Sequence, residues 1–258
     1  MITKHKTPKL LVSVRDKREA SLVLEKALEC ECLRLIDVKE PNKGPLGQVD
    51  ADRLIEIGKV FSEHKALHGD YQIGSSVALG EVNELKTNSR VFGDEDVLRD
   101  FQFAKMGLSD LGNQPGWWQK WKKLLTLLPP KTNFVAVAYA DYYLCHSPNP
   151  FEVAKVGQQL GCHYVLLDTY TKDGSSLFDF MPAAKVHEFV STCKNASQIA
   201  TIAGSLGIDS MRSAIQCNPD FIGVRGAVCE SDRASSISPK QINRIARFFV
   251  NVQFEFTS

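Results

Sequence analysis

Short apolar runs alternate along the chain with longer segments whose apolar residues recur every three or four positions. The runs fall at 10–15, 33–39, 71–79, 101–107, 133–139, 164–169, 198–203 and 221–224. Several are apolar at consecutive positions, as expected of strands buried on both faces of a parallel sheet. Between them the spacing predicts helices. The first covers 16–29, with Asp16 as N-cap and Ala20, Leu24, Ala27 and Leu28 as its apolar face. Others cover 51–67, 94–99, 117–128, 150–160, 180–193 and 209–216, and Ser238-Pro239 opens a last one running to about 249. Pro129-Pro130 stops one helix, and Gly161 sits where a C-terminal glycine is expected after another.

Eight strand–helix units in roughly 250 residues predict a single (β/α)8 TIM barrel with parallel strands. The whole of 1–258 is then one domain, with its core at about 10–250 and short extensions at both ends. The competing architecture is an open doubly wound sheet. The dinucleotide-binding version of it is weakened, because no G-x-G-x-x-G follows the first strand.

Composition narrows the partners. The 258 residues carry 31 basic and 30 acidic side chains, a net charge of +1. That balance predicts no nucleic-acid partner and no membrane-surface binding. No apolar run reaches the length of a bilayer span. Residues 10–14 are too short for a signal peptide and are ended by Arg15-Asp16-Lys17-Arg18, so a cytoplasmic protein is expected. The seven cysteines are scattered without a C-x-x-C pair, which predicts neither a disulfide framework nor a zinc ribbon. Cys30 and Cys32 read as packing residues at a helix–strand junction. His64 and His68 stand four apart without an obvious third ligand, so no metal is expected there. Trp117, Trp118 and Trp121 read as packing for a helix and its entry loop, with a substrate lid or a subunit contact as the alternative.

Barrel enzymes carry their active sites at the C-terminal ends of the strands. Here those ends supply Arg15, Asp37, Lys39, Lys105, Asp141, Asp168 and, slightly beyond, Lys172. Asp37 and Lys39 alternate onto one face of the second strand together with Leu35, and on their own suggest an ion pair. Several lysines in one pocket favour a neutral amine, because desolvation and neighbouring cations both penalise the ammonium. A neutral lysine forms an imine with a carbonyl substrate, and that chemistry requires no metal or other cofactor. Lys39, Lys105 and Lys172 are all placed to do so. The glycine-ended seventh and eighth strands fit a phosphate site built from Gly204, Ser205, Arg225 and Gly226, with Arg225 as a charged clamp and Ser13 of the first strand alongside. Lys43 in the second loop reads either as a phosphate contact or as a solvated lysine.

These residues carry a resemblance. Leu10 to Val14, Ile36-Asp37-Val38-Lys39-Glu40-Pro41 with Gly44-Pro45-Leu46-Gly47, Lys105-Met106-Gly107, Leu167-Asp168-Thr169 with Lys172-Asp173-Gly174, and Ala203-Gly204-Ser205-Leu206 resemble the (5-formylfuran-3-yl)methyl phosphate synthase family of methanofuran biosynthesis. The resemblance implies a lyase that condenses two molecules of glyceraldehyde 3-phosphate to a furan aldehyde phosphate, losing phosphate and water. It places the imine on Lys39 and the proton acceptor on Lys105, with Asp37, Asp168 and Lys172 at the other polar positions. It also implies a role in one-carbon metabolism. Against the family's shorter members, residues 80–100, the Trp117-Trp118 region and the tail after Cys229 look like additions. The apolar series Phe248, Phe249, Val250, Val252, Phe254 and Phe256 suggests a homo-oligomer, or packing on the barrel's own helices. Two other readings stand beside the synthase. One is a different Schiff-base aldolase acting on a sugar phosphate, and the other is a non-catalytic barrel that binds a phosphorylated metabolite.

Overall fold

The computed structural model describes residues 7–69, 73–85 and 89–257. Within it, eight parallel strands pair in sequence order and close, β1 against β8, into a barrel. The strands are β1 (Lys9–Val14), β2 (Leu33–Val38), β3 (Gly74–Glu81), β4 (Phe103–Gly107), β5 (Asn133–Tyr139), β6 (Tyr164–Asp168), β7 (Ile199–Ile202) and β8 (Phe221–Val224). The helices are α1 (Lys17–Glu29), α2 (Ala51–His68), α3 (Arg90–Gly93), α4 (Glu95–Leu98), α5 (Trp117–Leu125), α6 (Pro150–Gln159), α7 (Leu177–Phe180), α8 (Ala183–Asn195), α9 (Ile208–Gln216) and α10 (Pro239–Thr257). No described helix is long and apolar enough to cross a membrane.

Alternation along each strand sorts side chains into two cores. Outward residues such as Val12, Ile36, Val38, Ala104 and Leu167 pack under the helices in one large cluster. Inward residues Ala78, Val135, Val137, Tyr139 and Leu166 form a smaller cluster inside the barrel, closed from above by Leu46 of the β2–α2 loop. Local signals set the helix starts: Asp16 caps α1 by accepting from the Glu19 N–H, and Asp50 caps α2 by accepting from the Arg53 N–H.

Three boundaries differ from the sequence pattern. The expected start of β3 at Tyr71 lies outside the described residues, and the strand runs on to Glu81. Its register shifts between Ala78 and Glu81, across Gly80 at φ +93°. The expected helix at 180–193 starts only after Pro182, as α8, and Phe180 instead ends the short preceding α7. The last helix is longer than its pattern implied. Phe249 and Val252 on α10 are buried in the barrel's own core, and Phe248 packs against it. The side chains of Val250, Phe254 and Phe256 lie outside the described residues.

Candidate active site

Register builds the site. Ser13 pairs with Asp37 across β1 and β2, Asp37 with Ser76 across β2 and β3, and Ala78 with Lys105 across β3 and β4. The small Ser76 and Ala78 leave room above β3, and Lys105 reaches over them to Asp37. The Lys105 Nζ to Asp37 Oδ2 distance is 2.7 Å, with both side chains almost entirely out of water. Ser13 Oγ donates to the same Oδ2 at 3.2 Å. Asp37 Oδ1 has no hydrogen-bond partner among the described residues.

Asp37 therefore pairs with Lys105 and not with Lys39, as the second strand alone suggested. Lys39 follows the last residue of β2, where its Nζ instead donates to the Pro45 carbonyl at 3.1 Å. It is buried and makes no salt bridge among the described residues. Burial above all, then the cations of Lys105 and Lys172, lowers its pKa to about 7, although the carboxylates of Asp168 and Asp37 pull the other way. Lys39 is thus an amine with a substantial neutral fraction near neutrality.

Across the mouth, Lys172 Nζ lies 2.9 Å from Asp168 Oδ1, which also accepts from the Thr169 N–H at 2.8 Å. Burial raises the Asp168 carboxyl, but Lys172, Lys39 and these hydrogen bonds outweigh it and hold the pKa at about 2. Asp168 therefore stays ionised. Lys39, Lys105, Asp168 and Lys172 line one cavity of about 480 Å³ together with Ser13, Gly204, Ser205, Arg225, Gly226 and Arg233. Gly204 has φ +111°, and a β-carbon there would press on Thr169, so the backbone at the end of β7 passes close against the residue after β6.

Three strand-end residues do other work. Asp141 accepts from the N–H groups of Tyr170 and Thr171, both at 2.7 Å, and so shapes the loop that carries Lys172. Arg15 donates to the Ala234 carbonyl and the Ser236 hydroxyl. Arg225 lines the cavity, but its five N–H donors are all spent on protein. Nε donates to Arg233 O, Nη1 to Ser13 O and Glu19 Oε2, and Nη2 to Glu19 Oε1 and Ser235 O. Arg225 was expected as a phosphate clamp; its buried partner Glu19, on α1, occupies the same N–H groups. Lys43 lines a separate cavity of about 240 Å³ between the β2–α2 loop and the end of β3.

A second buried polar cluster was missed. Tyr139 donates to Glu81 Oε1, and the Ser109 N–H donates to Glu81 Oε2 at 2.9 Å. Burial raises the Glu81 carboxyl, and it raises the Tyr139 hydroxyl further, with Glu81 itself adding to the shift. A β-carbon at Gly107 would collide with both groups. The irregular register at Gly80 hid Glu81, because it breaks the alternation by which an inward residue is recognised. Tyr139 was legible, since it continues the inward series Val135, Val137.

The residues set aside on the outside of the barrel are also placed. His64 and His68 stack with ring centroids 4.5 Å apart, and no group of three or more metal-ligating side chains occurs among the described residues. Trp117 and Trp121 are buried, whereas Trp118 is exposed. Cys30 and Cys32 approach to 2.6 Å between sulfurs at the α1–β2 junction.

The sequence model of the 4-HFC-P synthase family matches residues 10–246. The chain is 27% identical over 240 residues to the (5-formylfuran-3-yl)methyl phosphate synthase of Methanosarcina mazei, covering 92% of this chain and 97% of that one. To the protein of that name from Methanopyrus kandleri it is 30% identical over 226 residues, covering 86% and 90%. The family match continues well past Cys229, so that part of the tail is not an addition. Among solved structures, thiamine phosphate pyrophosphorylase from Pyrococcus furiosus superposes with a TM-score of 0.58 at 12% identity, over 98% of both chains. A 3-hexulose-6-phosphate synthase gives 0.54 at 13%, over 92% of this chain and 99% of that one. At such identities the likeness is one of fold.

Proposed function

The chain belongs to the 4-HFC-P synthase family, and on that premise we propose that it condenses two molecules of glyceraldehyde 3-phosphate to (5-formylfuran-3-yl)methyl phosphate for methanofuran-type cofactor biosynthesis. The observation that carries the reading is Lys39, a buried amine with a pKa near 7, flanked by two ion-paired lysines at a barrel mouth.

Each residue has a part in the proposed chemistry. The neutral Lys39 amine attacks the aldehyde carbon of one triose phosphate and water leaves, giving an imine. Protonated, that imine draws electrons from the neighbouring carbon, whose proton passes to Lys105 once the Lys105 ammonium has handed one of its own to Asp37. Asp37 orients Lys105, and its unpartnered Oδ1 offers a second place for a proton. The resulting carbon nucleophile forms the new carbon–carbon bond to the second molecule. Asp168 and Lys172 form a fixed pair that balances charge opposite Lys39 and reaches the substrate's oxygens. The balance closes when ring formation expels one inorganic phosphate and two waters in total and imine hydrolysis returns Lys39. Because phosphate departs by elimination, the reaction is that of a carbon–oxygen lyase. The backbone at Gly204, Ser205 and Gly226, with Ser13 beside it, forms the proposed cradle for a substrate phosphate.

The test supplies glyceraldehyde 3-phosphate alone and follows furan absorbance together with released phosphate. Equal amounts of the two are expected, with the signal abolished in Lys39→Ala and in Lys105→Ala although both stay folded by circular dichroism. A wild-type protein that releases neither product contradicts the reading.

A further inference from the structure

Five cations line the main cavity, and four of them are already committed. Lys105 is paired with Asp37, and Lys172 with Asp168. Lys39 is the proposed nucleophile, and Arg225 has no donor left. Arg233 differs. It is half-buried at the cavity wall, and Nη2 donates to the Gly44 carbonyl at 3.1 Å. Its other four N–H groups make no hydrogen bond to described residues. No carboxylate pairs with it among the described residues either, although burial disfavours its charge. An unpaired, partly desolvated guanidinium is costly unless an anion arrives.

Its position selects the anion. The Arg233 β-carbon is the nearest atom, at 4.0 Å, to where a β-carbon on Gly226 would sit. The Arg233 side chain therefore starts beside the glycine loop at the end of β8 and reaches to Gly44, and it lines the same cavity as Gly204, Ser205 and Gly226.

The loop bearing Arg233 is also held in an uncommon way. Three successive carbonyls are caught by arginines: Arg225 takes Arg233 O and Ser235 O, and Arg15 takes Ala234 O. Both arginines are anchored on the buried Glu19, Arg225 at 2.9 Å and Arg15 at 3.3 Å. A carboxylate and two guanidiniums thus form a frame whose output is the placement of one further guanidinium.

We propose that Arg233 is the side chain that grips the phosphate of the substrate, and that Glu19, Arg225 and Arg15 are its positioning frame. This rests on the reading that the cavity takes a phosphorylated aldehyde. It goes further in naming the residue that selects the phosphate. Arg233 also holds Gly44, one residue from the Pro45 carbonyl that receives Lys39. The phosphate grip and the nucleophile therefore share one short loop.

The experiment separates this proposal from the chemistry. Inorganic phosphate is titrated calorimetrically into wild type, Arg233→Gln and Arg233→Lys, none of which needs to turn over. The expected result is a Kd raised about 10–100-fold in Arg233→Gln, the range for losing hydrogen bonds to a charged group, with Arg233→Lys in between. A Kd within twofold of wild type, or a wild type that binds no phosphate, overturns the assignment whether or not the protein makes a furan. The frame is tested with Arg15→Gln, since Arg15 keeps 26% of its side chain exposed whereas Arg225 and Glu19 are buried. A several-fold higher KM for glyceraldehyde 3-phosphate with kcat retained is expected. Unchanged KM removes Arg15 from the frame.

Discussion

Asp37 on β2 and Lys105 on β4 meet across the intervening strand, their charged atoms 2.7 Å apart and both buried. That pairing releases Lys39, two residues along from Asp37, from the ion pair that adjacency on one strand face would suggest. One lysine is held in a salt bridge with a carboxylate, and its neighbour is left to lose its proton. The division of labour follows from small residues, Ser76 and Ala78, on the strand between them.

The first consequence is a pH profile. With a pKa near 7 in place of the ordinary 10.5, the reactive amine gains its neutral form as pH rises through about 7. The value of kcat/KM is expected to climb tenfold per unit below that point and to level above it. A profile that keeps climbing toward pH 10 would show Lys39 to be an ordinary lysine.

Stability carries the same signature with its own sign. The folded-state pKa of Lys39 lies below its unfolded value of 10.5, so between about pH 7 and 10.5 the unfolded chain binds the extra proton. Stability therefore rises with pH across that window, and the penalty is at its fullest below pH 7. Lys39→Met removes the penalty. Denaturant unfolding at pH 6.5 is expected to show the variant more stable by up to about 4 kcal/mol, the difference closing toward pH 10.5.

Asp37→Ala should act oppositely. It strips a buried ammonium of its counter-ion, and breaking one side of such a pair costs about 3–5 kcal/mol. The expected outcome is a marked fall in the denaturation midpoint at pH 7, with activity lost as well. The double variant Asp37→Ala with Lys105→Met should recover much of the stability and none of the turnover.

The Glu81–Tyr139 pair predicts a local effect. Tyr139→Phe leaves the buried Glu81 Oε1 without a donor, a cost of about 1–3 kcal/mol. Glu81 already has a raised folded pKa, so ionising it destabilises the fold as pH climbs above the ordinary carboxyl range of 4.5. Tyr139→Phe should steepen that decline, which unfolding curves between pH 4.5 and 8 would reveal.

The strands and helices were legible because barrel strands are short and doubly buried, a pattern that survives without knowledge of their partners. The rule that strand ends carry the chemistry then picked out Lys39, Lys105, Asp168 and Lys172. What the sequence could not convey was who pairs with whom. Asp37 and Lys39 are neighbours on one strand, yet register across three strands assigns Asp37 to Lys105. Arg225 looked like a clamp because nothing nearby in sequence reveals that Glu19, on the first helix, occupies it. Arg233 was passed over because it lies in a loop beyond the last strand, where periodicity gives no direction. Glu81 was lost to a register shift at a glycine.

The central claim is that Lys39 attacks the substrate as a free amine. Incubating the protein with glyceraldehyde 3-phosphate, reducing with borohydride and mapping peptides by mass tests it most directly. A single adduct on the peptide containing Lys39, lost when Lys39 is changed to Ala, is the expected result. An adduct on Lys105 or Lys172 with Lys39 unmodified would contradict the account.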